Sequence, residues 1–175
     1  MSNNAYWLLK VNAEFILGLI PAPTPPMCFG APATIYVRNG VIVGGADNGR
    51  PYAGRLNGPS GDDVIVGTDA RDIVEGGYGA DKMCGGGGDD LLKGQFDADQ
   101  IDAGDGNDPV EGGPGNDLLK AQDGNDVVDA GAGNDTIEGG PGDDDLDGGP
   151  GTDTLKGQAG TDRCRNGETL EGCEN

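Results

Sequence analysis

The sequence predicts an ordered all-β repeat fold, and three columns of a nine-residue period predict it. With Gly58 as position 1, twelve consecutive nonapeptides run to Arg165. Position 6 is aspartate in all twelve, position 8 is apolar in all twelve, and position 4 is glycine except at Ala70 and Asp97. A fixed period of this kind indicates an ordered array of repeats.

Each column has a physical role within the repeat. Glycines at positions 1, 2 and 4 allow backbone turns with positive φ, and asparagine or aspartate at position 5 tolerates the same turns. In the short strand at positions 7 to 9, position 8 points inward and its neighbours point outward. The inward residues are Ile65, Val74, Met83, Leu92, Ile101, Val110, Leu119, Val128, Ile137, Leu146, Leu155 and Cys164.

Other glycine-rich classes do not fit this period. Collagen requires glycine at every third residue, and flexible linkers have no fixed period. An acidic disordered tail would lack the apolar column. The repeats are therefore predicted to be ordered, although one apolar residue in nine gives only a thin core.

The charge of the chain indicates which partners it binds. Thirty-one acidic residues against 11 basic ones give a formal net charge of -20, which disfavours nucleic acid and anionic membranes and favours cations. The sequence has no histidine, so it excludes histidine-based catalytic triads and histidine-ligated zinc.

The repeats closely resemble the RTX (repeats-in-toxin) family, the hemolysin-type calcium-binding repeats. The segments GGPGNDLLK at Gly112 and GGPGTDTLK at Gly148 match the GGxGxDxUx nonapeptide in full, and the resemblance covers residues 58–165. It implies a right-handed parallel β-roll in which six residues turn, three form a strand, and two nonapeptides complete one coil.

The same resemblance implies calcium between turns n and n+2, held by aspartate side chains and loop carbonyls. Calcium suits such sites because it takes six to eight oxygen ligands, whereas magnesium demands stricter octahedral geometry. Twelve turns leave gaps for at most about ten ions. The expected aspartates are Asp63, Asp72, Asp81, Asp90, Asp99, Asp108, Asp117, Asp126, Asp135, Asp144, Asp153 and Asp162. The expected carbonyls lie near Gly104, Gly106, Gly113, Gly115, Gly124, Gly131, Gly133, Gly140 and Gly142.

The sites are not expected to be equal. Ala70 and Asp97 replace the position-4 glycine, and Arg71 places a cation beside Asp72, so these turns should bind weakly. The most regular consecutive pairs are Asp108 with Asp126, Asp126 with Asp144, Asp117 with Asp135, and Asp135 with Asp153.

Four cysteines point to two disulfides and an oxidising, extracellular location. They lack the close pairs of a zinc ribbon, and an even number favours disulfides over buried thiols. Of three possible connectivities we favour Cys28 with Cys84 and Cys164 with Cys173, where secreted RTX proteins also carry paired cysteines. Continuing the register places Cys173 at position 8, as it does Cys164, so both are expected to face inward from opposite sheets.

Four segments are predicted. Residues 1–26 form a leader and proline-rich linker, which is either a weakly helical leader or a divergent export signal and is too interrupted to span a membrane. Residues 27–57 form a β cap or degenerate repeats, with a hairpin around Asn39-Gly40 and the register of nines lost before Gly58. Residues 58–165 form the roll, and residues 166–175 a disulfide-closed C-terminal cap.

Strand stacking predicts two charge ladders on the outer faces, because residues eighteen apart should lie side by side. At position 9 the ladders are Asp102, Lys120, Glu138, Lys156 on one sheet and Glu75, Lys93, Glu111, Asp129, Asp147, Arg165 on the other. The second ladder contains a like-charge run, Glu111, Asp129 and Asp147. This run is either an ordinary solvated face or a surface for an additional cation or partner.

The sequence therefore predicts a secreted, monomeric, non-enzymatic protein that binds calcium and folds with it. It predicts no nucleic-acid partner and no membrane insertion, and leaves open which protein or surface it meets. One alternative is an accessory module of an RTX protease, lipase or toxin, although residues 1–57 are too short for such an enzyme and contain no G-x-S-x-G motif. Another is an adhesin or ice-binding solenoid, for which only Thr136 and Thr154 supply outward threonines at position 7.

Overall fold

The computed structural model describes residues 24–38, 40–45 and 48–174. Within these ranges the regular secondary structure consists of β-strands. The chain winds into a parallel β-solenoid of about six turns, so the predicted fold class is confirmed. Residues 1–23 of the expected leader lie outside the described ranges. In the described part of the chain, no helix has the length and apolar character needed to cross a membrane.

Successive strands alternate between two sheets. A two-stranded antiparallel element comes first, formed by β1 (Met27–Cys28) and β2 (Ala31–Pro32). The nine-stranded sheet contains β3 (Ile35–Arg38), β4 (Val41–Val43), β6 (Val64–Val66), β8 (Lys82–Gly87), β10 (Gln100–Asp105), β12 (Leu118–Lys120), β14 (Thr136–Pro141), β16 (Thr154–Ala159) and β18 (Thr169–Glu171). The seven-stranded sheet contains β5 (Arg55–Asn57), β7 (Ile73–Tyr78), β9 (Leu91–Phe96), β11 (Pro109–Pro114), β13 (Val127–Ala132), β15 (Asp145–Asp147) and β17 (Arg163–Arg165).

Within the roll, residues that pair on neighbouring strands of a sheet are eighteen apart in sequence. Ile101 pairs with Leu119, and Val110 pairs with Val128, each in a parallel pair of strands. Many strands are six residues long instead of the expected three, because pairing continues into positions 1 to 3 of the next repeat. Gly113 pairs with Gly131 in this way, so stacking of the coils extends the sheet beyond the apolar residue.

The core is the inward column at position 8. Eleven of the twelve residues in this column are at most 2% exposed, and Cys164 at the C-terminal end is 7% exposed. The alanines at position 1, Ala103, Ala121 and Ala130, are also fully buried beside it. Because the core is a single file of apolar side chains, the turns at the two edges of the roll must be stabilised by other contacts.

The roll begins one strand earlier than the sequence pattern indicated. Leu56 in β5 pairs with Val74 and is 1% exposed, so it occupies position 8 of a repeat that precedes Gly58. This repeat carries Gly54 at position 6 instead of aspartate, which conceals it from a search for the aspartate column. The expectation that the register is lost throughout this segment was therefore wrong for its last strand.

The first strands of the nine-stranded sheet form the expected hairpin. Strands β3 and β4 pair antiparallel around Asn39-Gly40, although Asn39 itself lies outside the described ranges. Ile35 in β3 pairs in parallel with Ile65 and is 1% exposed, so the hairpin covers the first coil of the roll.

Both disulfides join the favoured pairs. Cys28 is bonded to Cys84 with Cα atoms 5.8 Å apart, and Cys164 to Cys173 with Cα atoms 5.7 Å apart. The expectation that the second pair links opposite sheets was wrong. Glu174 forms a parallel bridge with Arg163, so Cys173 lies beside the strand that carries Cys164.

The outer faces carry the two predicted charge ladders. On the nine-stranded sheet, the Glu138 carboxylate lies 3.1 Å from Lys120 Nζ and 3.5 Å from Lys156 Nζ. On the seven-stranded sheet, Asp129 pairs with Glu111 on one side and Asp147 on the other, which confirms the like-charge run.

Candidate metal centre

The twelve position-6 aspartates lie at the ends of the turns, immediately before each strand, and all are buried. Asp63 is 9% exposed and each of the others is at most 3% exposed. Because two repeats complete a coil, the aspartates form two lines along opposite edges of the roll. The first edge contains Asp63, Asp81, Asp99, Asp117, Asp135 and Asp153, and the second contains Asp72, Asp90, Asp108, Asp126, Asp144 and Asp162.

In ten of the twelve aspartates, all except Asp63 and Asp72, one carboxylate oxygen holds the preceding coil. The backbone N–H of Asp108 donates to Asp126 Oδ1 at 2.8 Å, and the N–H of Asp126 donates to Asp144 Oδ1 at 2.9 Å. Ten such bonds connect aspartates eighteen residues apart, at 2.7 to 3.0 Å. These bonds place a carboxyl group between successive coils along both edges.

The other carboxylate oxygen has no hydrogen-bond partner. Oδ2 is buried and unpartnered in eleven of the twelve aspartates, and in Asp72 the unpartnered atom is Oδ1. A buried ionised oxygen without a partner is strongly unfavourable, so buried charges in proteins are paired or bind metal ions. When these carboxylates are ionised, the two rows of unpartnered oxygens therefore require positive charge.

These oxygens face backbone carbonyls of the following coil, across a position-1 glycine. A Cβ placed on Gly94 would lie 2.3 Å from Asp99 Oδ2 and 2.6 Å from the Gly112 carbonyl oxygen. All nine repeats with glycine at position 1 show this arrangement, with 2.3 to 3.0 Å to the carboxylate and 2.1 to 2.9 Å to the carbonyl. Sequence analysis missed these position-1 carbonyls, although the glycine column at position 1 was a signal for them.

The loop carbonyls that the sequence did indicate lie at positions 2 and 4 and point along the roll. A Cβ on Gly124 would lie 1.5 Å from the Gly106 carbonyl oxygen, and one on Gly131 would lie 2.3 Å from that of Gly113. Only glycine lets the coils stack this closely, which explains the columns at these positions. The loops thus line each edge with oxygen atoms.

The donor set is dominated by backbone oxygens. Within the described ranges, no group of three or more Asp, Glu, Cys or His side chains gathers around one point. An ion between two coils would therefore be held by one or two carboxylates together with carbonyls. Such an all-oxygen set fits calcium, a hard cation that accepts carboxylates and carbonyls in flexible geometry.

Burial raises the pKa of ten edge aspartates, and in all of these except Asp72 neighbouring aspartates raise it further. The pKa is raised to about 7 for Asp90, Asp99 and Asp126, against the opposing effect of backbone hydrogen bonds. It is raised to about 6 for Asp81, Asp117 and Asp144, and raised also for Asp63, Asp72, Asp108 and Asp135. Without a cation, these carboxylates in the folded roll therefore take up protons at a higher pH than an exposed aspartate does.

The two irregular turns differ from each other. Asp72 Oδ2 accepts hydrogen bonds within its own repeat, from Thr68 N–H at 2.6 Å and Thr68 Oγ1 at 3.1 Å. Asp97 instead adopts the backbone of the glycine that it replaces, with a φ of 73°, and its carboxylate accepts the Gly79 N–H at 3.1 Å. The backbone at Asp97 therefore follows the same path as in the other turns. At Asp72, by contrast, one carboxylate oxygen already has hydrogen-bond donors within its own repeat.

Position 5 carries a second set of contacts that sequence analysis missed. Asn107 Oδ1 accepts the N–H of Asn125 at 2.9 Å, and Asn125 Oδ1 accepts the N–H of Asp143 at 2.8 Å. These side chains reach towards the following coil, whereas those at position 6 reach towards the preceding one. The asparagine column was the available signal, but it was interpreted only as tolerance of a turn.

Comparison with protein-family models identifies the array. The model of the RTX calcium-binding nonapeptide repeat matches residues 58–92, 85–119, 102–137, 111–146, 120–155 and 138–168. The chain belongs to the RTX calcium-binding repeat family. Comparison with curated proteins and with solved structures found no match. Its solenoid is accordingly an RTX β-roll, and membership of this family supports calcium binding by the repeats.

Proposed function

We propose that this protein is a secreted, non-enzymatic RTX module that binds several calcium ions and whose folding is coupled to their binding. The observation that supports this most directly is the row of buried, unpartnered aspartate oxygens on each edge. Calcium would supply the positive charge that these oxygens lack, and its coordination would hold adjacent coils together.

The contacts between coils support an upper limit on the number of ions. The ten aspartate-to-aspartate hydrogen bonds mark ten gaps, five on each edge. Ten divalent ions would neutralise the formal net charge of -20. We expect the occupied number to reach at most about ten, with the Asp72 turn among the weakest.

The burial and the hydrogen bonds of the edge carboxylates favour a structural role over a catalytic one. All twelve edge carboxylates are buried, and ten of them hold the backbone of the preceding coil, so they are not presented to a substrate. The disulfides support secretion, because Cys28–Cys84 and Cys164–Cys173 would persist in an oxidising compartment.

Circular dichroism with and without calcium tests the coupling between binding and folding. We expect a largely disordered chain in chelator and a cooperative gain of β-structure as calcium is added, with a midpoint of about 10⁻⁴ to 10⁻³ M. Magnesium at the same concentration is the control and should produce much less structure. An unchanged β-spectrum in excess chelator would contradict the proposal.

A further inference from the structure

The last stretch of the chain continues the edge of the roll after the nine-residue register has ended. Strand β18 pairs with β16 through Thr154–Thr169 and Leu155–Leu170, an offset of fifteen residues instead of eighteen. The loop before β18 is thus three residues shorter than the others. Register counting would place Glu171 at position 6, but the structure places it at position 9, opposite Lys156.

Glu168 occupies the place of a position-6 aspartate in this shortened coil. The N–H of Thr169 donates to the Asp153 carbonyl, as the N–H of Thr154 donates to that of Asp135. Glu168 therefore precedes its strand as Asp153 precedes β16. The Asp153 N–H donates to Glu168 Oε2 at 2.5 Å, which repeats the contact that ten of the edge aspartates make with the coil before them.

A backbone carbonyl also continues the pattern at this end. A Cβ on Gly148 would lie 2.5 Å from the Asn166 carbonyl oxygen and 2.9 Å from Asp153 Oδ2. Asp153 is 1% exposed, and its Oδ2 has no hydrogen-bond partner. The side chain of Asn166 donates to Asp147 Oδ1 at 2.7 Å, which fixes the residue that supplies the carbonyl.

The closing disulfide holds this segment in place. Cys164 and Cys173 are nine residues apart and flank both Asn166 and Glu168. The Glu168 N–H is also bonded to the Asp153 carbonyl at 3.0 Å. A short loop fixed at both ends loses less conformational entropy when it binds an ion than a free chain end would.

We propose that Glu168, Asp153 and the Asn166 carbonyl form a terminal calcium site, which adds one gap to the five on the first edge. The inference rests on the proposed calcium binding of the edges. Glu168 is a ligand that the nonapeptide pattern does not contain, and its longer side chain spans the shortened loop. The C-terminal segment thus acts as half of a calcium site as well as a cover for the last coil.

Paired substitutions test the site in the full-length, disulfide-bonded protein. Calcium binding isotherms are measured by equilibrium dialysis for the wild type, Glu168→Gln and the control Glu171→Gln, and folding by circular dichroism. Both variants remove one negative charge from the same segment. We expect one ion per chain to bind on the order of tenfold more weakly in Glu168→Gln, with Glu171→Gln superimposable on the wild type.

Each other result has a defined meaning. Equal isotherms for Glu168→Gln and the wild type, or loss of the ion from Glu171→Gln, would overturn the terminal site while calcium binding by the edges stands. A Glu168→Gln chain that remains unfolded in saturating calcium would also overturn it, because loss of one terminal ion should leave the other sites able to fold the roll. A wild type that binds no calcium would instead refute the proposed function itself.

Discussion

At the residue scale, ten of the twelve edge aspartates divide their two oxygens between two tasks. In Asp126, Oδ1 accepts the Asp108 N–H, while Oδ2 is left for a cation. The carboxylate therefore contributes both to the stacking of coils and to ion binding. Substitutions that remove one task or both should be distinguishable.

We predict that Asp126→Ala impairs calcium-dependent folding more than Asp72→Ala. Asp126→Ala leaves the buried N–H of Asp108 without its charged acceptor, a loss of about 1.5 to 3 kcal/mol, and removes a calcium ligand. Asp72 bonds to Thr68 in its own repeat, beside Arg71, and holds no preceding coil. The calcium midpoint measured by circular dichroism should rise roughly ten- to hundredfold for Asp126→Ala and less for Asp72→Ala.

Asp126→Asn is the matched control for this comparison. The asparagine oxygen can still accept the Asp108 N–H, but the negative charge is lost, so this variant should keep the stacking contact and weaken only calcium binding. Equal midpoints for Asp126→Ala and Asp72→Ala would refute the ranking of the two sites.

At the scale of the strands, regular stacking turns the sequence of position 9 into rows of neighbouring charges. Lys93 forms an ion pair with Glu111 at 2.7 Å, but Glu111, Asp129 and Asp147 follow one another across β11, β13 and β15. Like charges directly opposite each other destabilise a sheet by a few tenths to about 1 kcal/mol.

We predict that Asp129→Lys stabilises the roll in saturating calcium at low salt. The lysine would restore alternating charge between Glu111 and Asp147, and the gain of up to about 1 kcal/mol should shrink at high salt because the strand faces are exposed to screening. Thermal unfolding at two salt concentrations measures it. Asp129→Asn, which removes repulsion without adding attraction, should give a smaller gain, and a less stable Asp129→Lys would indicate that the acidic run binds something the fold needs.

At the scale of the whole molecule, the raised pKa values of the buried aspartates make protons and calcium alternative partners of the same oxygens. Burial raises the pKa of Asp90, Asp99 and Asp126 to about 7. A pKa that is higher in the folded state gives stability that is fully present below the unfolded pKa of about 4 and is lost as pH rises through the folded value. Glu138, whose pKa the neighbouring Lys120 lowers, acts in the opposite direction, but it is one group on the surface.

We predict opposite pH dependences in the absence and presence of calcium. Without calcium, lowering the pH from about 7.5 to about 4.5 should increase β-structure, because protons neutralise the edge carboxylates. In calcium titrations, lowering the pH from about 7.5 to about 5.5 should raise the midpoint by about tenfold or more, because protons compete for the same carboxylates. Circular dichroism follows both, and a pH-independent midpoint would contradict the raised pKa values.

Much of this molecule could be predicted from sequence because the same constraint recurs twelve times. The aspartate and apolar columns indicated the register, the two edges and the outer ladders. The strand at Leu56 was not predicted, because Gly54 replaces the aspartate of its repeat. The role of Glu168 was missed because a loop shortened by three residues changes which acid meets Asp153, and only the three-dimensional pairing shows that change.

The alternation of strands between the two sheets sets the step in which such a chain can gain or lose length. A deletion of nine residues keeps aspartates on both edges and apolar residues inside, yet it moves every later strand to the opposite sheet. Removal of residues 103–111, for example, would bring Lys93 beside Lys120 and Asp102 beside Asp129, in place of the observed Lys93–Glu111 and Asp102–Lys120 neighbours. A deletion of eighteen residues returns each later strand to its own sheet. The interior therefore accepts changes in units of nine, whereas only changes in units of eighteen keep every later strand in its own sheet.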